Sequence, residues 1–453
     1  MKHSFLLLAG ALGVLPLFSL RAGDGRTSAT DSVQLRVDVD RSILPADATE
    51  KAVVKIGLDC PRPPRADRRP PVNLAIVIDR SGSMRGAKIA KAREAALEAV
   101  HRLAADDILS VVVFDNNVRT LVPAQRVGDG RRFEDAIGEI EAGGSTALYG
   151  GVTRGASEVR KHIEDERCIN RVILLSDGLA NVGPGSPEEL GRLGASLVKE
   201  GISVTTIGLG LDFNEDLMTR LAQRSDGNTY FVESSADLPR IFAAELGDVL
   251  SVVARRVEIE IEFPDGVRPL RFIGREGTIE GRRAQLSLNQ LYGGQEKFAL
   301  VEVEVAPAES GSEREIARAK LSYEDALKQR NATLTARRSV QFSGSHAAVI
   351  GSANQRVQLD YAANSLAEAK DAAVALVDAN RRDEAGAVLR SKAVELKMMS
   401  STYHNTAVES LAAAAAPEAA KVEADGLSNG DRKTFRAEAA QTRNQQATGA
   451  GDR

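Results

Sequence analysis

Three short polar clusters hold the residues whose types and spacing could do chemistry. The first, Asp79-Arg80-Ser81-Gly82-Ser83, ends the apolar run "LAIVI"; the second, Ser176-Asp177-Gly178, ends "RVILL". The third is the glycine-flanked loop "GGSTALYG" (143–150), which carries Ser145 and Thr146. Two carboxylates and several hydroxyls, without His or Cys, make a hard all-oxygen donor set. Such a set suits Mg²⁺, or Mn²⁺ or Ca²⁺, and not zinc or copper. Mg²⁺ keeps several waters, so a position stays open to exchange. With only two nearby negative charges, the ion would remain electrophilic and would grip a carboxylate from outside. The partner this implies is a protein offering an Asp or Glu. Taken singly, each cluster reads more readily as a helix cap, since Asp or Ser commonly follows a strand in that role.

The elements around the clusters favour the metal. From 72 to 250, short apolar runs alternate with amphipathic helical stretches such as "AKIAKAREAALEAVHRL" (87–103) and "SPEELGRLGASLVKE" (186–200). That alternation predicts an α/β fold, a doubly wound and mostly parallel sheet with helices on both faces. "VRTLVPA" (118–124) follows "ILSVVVF" by a tight turn and reads as an edge strand. In such sheets ligands bind outside the carboxyl ends of the strands, where all three clusters fall. From 254 to 345, strands of alternating pattern return without helices, which predicts an antiparallel β-sandwich. The two strands within 31–60 share that pattern, so the α/β unit is expected to be an insertion in the sandwich. A helical hairpin is expected over 353–412, and a mobile tail, rich in Ala, Gln and Gly, over 413–453.

Composition removes other classes. The net charge is −4 and Trp is absent, so neither a basic field nor an aromatic platform invites nucleic acid. The five His are scattered without metal-ligand spacing. Residues 1–22 read as a secretory signal, with Lys2 ahead of the apolar run Phe5 to Phe18 and Ala22 near the cut. The mature chain is then expected to be periplasmic or secreted, without a membrane span; the alternative is an uncleaved N-terminal anchor. Cys60 and Cys168 suit an oxidising compartment, either as one bridge or as two unpaired small hydrophobes.

"IVIDRSGSM", the loop with Thr146, and "ILLSDG" together resemble the metal-ion-dependent adhesion site of von Willebrand factor type A domains, over about 72–250. The flanking segments look like bacterial extracytoplasmic members and, more loosely, like inter-alpha-trypsin inhibitor heavy chains. The resemblance implies six strands, one of them antiparallel at the edge. It implies Asp79, Ser81 and Ser83 as ligands from the first loop, Thr146 from the second, and Asp177 from the third through water. It also sets "LAIVID" beside "RVILLSD", which would bring Cys60 and Cys168 to the amino end of the sheet and favours their bridge. The function implied is adhesion or assembly through a metal-held carboxylate. Two readings compete with it. One is a scaffold whose metal only staples loops. The other is a phosphate-handling enzyme with Asp79 as nucleophile, against which stands Ser81, where the haloacid-type motif has a second Asp.

Overall fold

The structure is a computed structural model that describes residues 32–62, 69–178 and 180–446; the expected signal segment lies outside them. Ile108–Phe114, Val72–Asp79, Ile169–Ser176 and Ile202–Leu209 are buried at every position. Continuous burial is what a parallel strand covered on both faces requires, and it explains why these runs are rich in Val, Ile and Leu. They lie in a six-stranded sheet in the order Val118–Arg126, Ile108–Phe114, Val72–Asp79, Ile169–Ser176, Ile202–Leu209, Thr229–Val232. All neighbours run parallel except Val118–Arg126, the antiparallel edge strand.

The period-two alternation of the central strand sends its side chains into two separate cores. Leu74, Ile76 and Ile78 pack with Ala92, Ala96 and Phe242 of the helices on one face. Ala75 and Val77 pack with Leu148, Val152 and Leu217 on the other. Helix Leu148–Arg160 sits close to the sheet because Gly155 faces it. A Cβ there would lie 2.5 Å from Val77 Cγ2. That closeness carries the loop bearing Thr146 down onto the end of the central strand.

The second unit is built from both ends of the chain. Glu50–Cys60 pairs with Gln34–Val39 on one side and with Gln295–Val305 on the other, completed by Val267–Ile273. A six-stranded sheet, mainly Arg283–Tyr292, Val252–Glu262, Glu313–Asp325 and Arg330–Ser343, packs against this four-stranded one. Val37, Val54 and Ile56 of the first sheet share a core with Ile259, Leu321 and Phe342 of the second. The six-stranded parallel sheet therefore interrupts a mostly antiparallel two-sheet structure, entering after Cys60 and leaving through helix Leu238–Val249 into Val252–Glu262.

Two expectations need correction. The tail expected to be mobile from 413 onwards is helical: Thr406–Asp425 continues through it and Asn429–Arg443 follows. Alanine has the highest helix propensity, and its small side chain allows close packing, so Ala412, Ala415 and Ala419 are buried. The charged residues also have partners. Lys433 Nζ donates to Glu215 Oε2 at 2.6 Å, and Arg436 pairs with Asp216 and Asp371. The last helix thereby fastens the α/β unit to helix Gln355–Asp378.

The expected Cys60–Cys168 bridge does not form; both thiols are free and buried. Cys60 belongs to the core between the two antiparallel sheets, whereas Cys168 precedes a strand of the parallel sheet. Burial pushes both thiols up to about 12, so neither is a ready thiolate.

Candidate metal centre

The three polar loops converge at the carboxyl edge of the parallel sheet. Asp79 is the last residue of the central strand and Ser176 the last of its neighbour. The register pairs Ile78 with Leu175, so Asp79 falls opposite Ser176 with Asp177 the next residue along, and both aspartates are fully buried at 0% exposure. Ser176 Oγ donates to Asp79 Oδ2 at 2.5 Å, and the backbone N–H of Ser81 donates to Asp79 Oδ1 at 2.7 Å. Ser81 Oγ lies 3.0 Å from Ser83 Oγ, which donates to Asp177 Oδ1 at 2.7 Å.

Thr146 comes from the second loop, on which the chain spends several backbone bonds. Gly82 N–H donates to Gly144 O at 2.9 Å, and Gly143 N–H to Arg80 O at 2.6 Å, stitching the first loop to the second. Ser145 N–H donates to Asn116 Oδ1, and Thr146 N–H to Asn181 Oδ1. Gly144 has φ of 87°, and a Cβ there would lie 2.4 Å from Asn116 Oδ1, so both the turn and the close approach require glycine. Gly178 marks where the loops meet. A Cβ added to it would lie 2.9 Å from Thr146 Oγ1 and 3.6 Å from Asp79 Oδ2. Asp79, Ser81, Ser83, Thr146 and Asp177 thus share one small region of the sheet edge.

Burial pushes the Asp79 carboxyl up to about 6; hydrogen bonds from Ser176 and Ser81 oppose the rise, and the charge of Asp177 adds to it. A buried carboxylate raised in this way gains from any cation brought beside it. Among the described residues, no three or more His, Cys, Asp or Glu cluster as a metal group. A cation at these loops would therefore rest on two carboxylates and the hydroxyls of Ser81, Ser83 and Thr146. The chemistry of that donor set fits a hard divalent ion.

Arg80, inside the first loop, is held by an ion pair and not by the candidate ligands. It pairs with Asp115 at 2.6 Å and is 30% exposed. The sequence reading missed Lys88, whose Nζ donates to Asp177 Oδ2 at 2.5 Å. Lys88 lies in the first turn of helix Ala87–Arg102, and no spacing rule links it to Asp177, 89 residues away. Asn116 and Asn181 were missed as loop supports for the same reason. Their roles are made by tertiary approach.

Residues 73–244 match the family model of the von Willebrand factor type A domain. An uncharacterised protein of Synechocystis sp., sll0103, is 32% identical over 176 residues, which cover 39% of this chain and 41% of that protein. Human inter-alpha-trypsin inhibitor heavy chain H3 is 30% identical over 208 residues, 43% of this chain and 22% of that one. The chain thus spans less than half the length of these curated relatives. Among solved structures, a von Willebrand factor type A protein from Catenulispora acidiphila aligns with a TM-score of 0.68 at 18% identity, over 92% of this chain and 98% of its own. The ArnB paralog VWA2 from Sulfolobus acidocaldarius aligns at 0.60 and 17% identity, over 91% and 98%. At such identities these two structures speak to the fold.

Proposed function

Because residues 73–244 of this chain form a von Willebrand factor type A domain, we propose that it is a metal-dependent protein-binding module working in the periplasm or outside the cell, and not an enzyme. Domains of this type generally act in protein interaction or adhesion, and often bind a divalent metal. Asp79, Ser81, Ser83, Thr146 and Asp177 would hold Mg²⁺, or Mn²⁺ or Ca²⁺. The ion supplies an electrophilic position that accepts a carboxylate from a partner protein. The chain's own contribution is to keep both aspartates dry and to fix three hydroxyls beside them on loops tied by backbone bonds. The observation that carries the reading is the meeting of Thr146 Oγ1 and Asp79 Oδ2 around Gly178, with Ser83 bonded to Asp177 next to them. The N-terminal apolar segment with Lys2 supports export. Among the described residues no helix is long and apolar enough to cross a membrane.

Two measurements test this. In a pull-down from an extract of the source cells, a specific partner should be retained in Mg²⁺ and lost in EDTA, and the Thr146→Ala bait should lose it in both. Retention through EDTA would remove the carboxylate clamp. Gly178→Ala, which forces Thr146 Oγ1 away from a new methyl group, should weaken Mn²⁺ binding by roughly tenfold while the fold is kept. An unchanged Mn²⁺ affinity would place Thr146 outside the site.

A further inference from the structure

Lys88 stands where a helix would not choose it. It occupies the first turn of Ala87–Arg102, where the macrodipole is positive and a cation is disfavoured; no side chain caps this end. Its ammonium lies 2.5 Å from Asp177 Oδ2 and is 28% exposed, against 0% for the aspartate. Its side chain passes beside Gly210, where a Cβ would meet Lys88 Nζ at 3.5 Å and Cε at 3.8 Å. Both oxygens of Asp177 are thereby taken, Oδ1 by the Ser83 hydroxyl and Oδ2 by the ammonium.

We propose that Lys88 is the resident counter-cation of the three-loop site, neutralising Asp177 when no metal is bound and yielding the carboxylate when a divalent ion arrives. The inference rests on the metal-binding reading above and adds to it a competitor supplied by the chain itself. A buried carboxylate without a cation is costly, so the ammonium keeps the metal-free site folded. A divalent ion and an ammonium cannot both crowd one carboxylate cheaply, since their repulsion at about 4 Å is substantial even in a water-like medium. Lys88 thus stabilises the metal-free chain and raises the ion concentration at which the site fills.

The test titrates Mn²⁺ into the wild type, Lys88→Met and Lys88→Arg by calorimetry, and takes melting temperatures in EDTA and in saturating Mg²⁺. Lys88→Met should bind Mn²⁺ about ten- to a hundredfold more tightly than the wild type. It should melt below the wild type in EDTA and show the larger gain on adding Mg²⁺. Lys88→Arg keeps the charge and should stay near wild-type affinity. Equal affinity in the wild type and Lys88→Met, or a weaker one in Lys88→Met, would overturn the competitor role while leaving the metal site standing. Absence of Mn²⁺ binding in all three folded chains would overturn the metal site itself, and the competitor with it.

Discussion

Asp79→Asn is expected to weaken Mn²⁺ binding on the order of a hundredfold or more without unfolding the protein. Losing a partner outside the coordination shell costs a metal site roughly ten- to a hundredfold, so losing one of two carboxylate ligands should reach at least the upper end. The substitution keeps the shape. An amide oxygen can still accept from Ser81 N–H, and its nitrogen can donate to Ser176 Oγ, both now within bonding distance of the carboxylate. Stability in EDTA should hold or rise. The folded carboxyl is raised to about 6, above its unfolded value, so its contribution is fully present below the unfolded pKa and declines as pH rises toward the folded one. At neutral pH the uncompensated carboxylate costs on the order of 2 kcal/mol, which the amide avoids. The checks are calorimetric titration and thermal melts in EDTA. Wild-type affinity in Asp79→Asn would take Asp79 out of the site.

Glu245→Ala should be the most destabilising single change near the junction of the two units, costing about 3–5 kcal/mol. Glu245 sits on helix Leu238–Val249 and is fully buried, as is Arg171 3.4 Å away. Thr205 Oγ1 donates to one carboxylate oxygen at 2.5 Å, and Asn228 and Tyr230 donate to the other. Removing the carboxylate leaves a guanidinium buried without its counter-charge, which is where the cost arises. Arg171 also donates to Gln290 and Tyr292 of the antiparallel unit, so the loss should spread across the junction. Urea unfolding measures it, and Glu245→Gln, which keeps the side-chain volume and one accepting oxygen, should lose less. A loss below about 1 kcal/mol for the Ala variant would mean that Arg171 finds other partners.

The parallel sheet was legible because burial on both faces favours apolar runs, and Leu74 to Ile78 and Val172 to Leu175 are such runs. The edge strand announced itself by the tight turn at Asn116 and Asn117 that follows "ILSVVVF". The loop residues were legible because polar clusters stood directly after those runs. Lys88 was not, since a lysine on a helix ordinarily faces solvent and only the folded register brings it to Asp177. The C-terminal helices were hidden by composition. Alanine and charge read as a tail until Glu215, Asp216 and Asp371 supply partners more than a hundred residues, or some tens of residues, away in the chain. The cysteines were misplaced because strand order constrains the parallel sheet and says nothing of how the neighbouring sheets set Cys60 in their own core.

The most direct measurement is an anomalous difference map from crystals grown with MnCl₂. The account predicts one strong peak among Asp79, Ser81, Ser83, Thr146 and Asp177, with coordinating oxygens at about 2.0–2.6 Å and a position left for an outside ligand. Absence of a peak there, or a peak only elsewhere on the chain at saturating Mn²⁺, would contradict it.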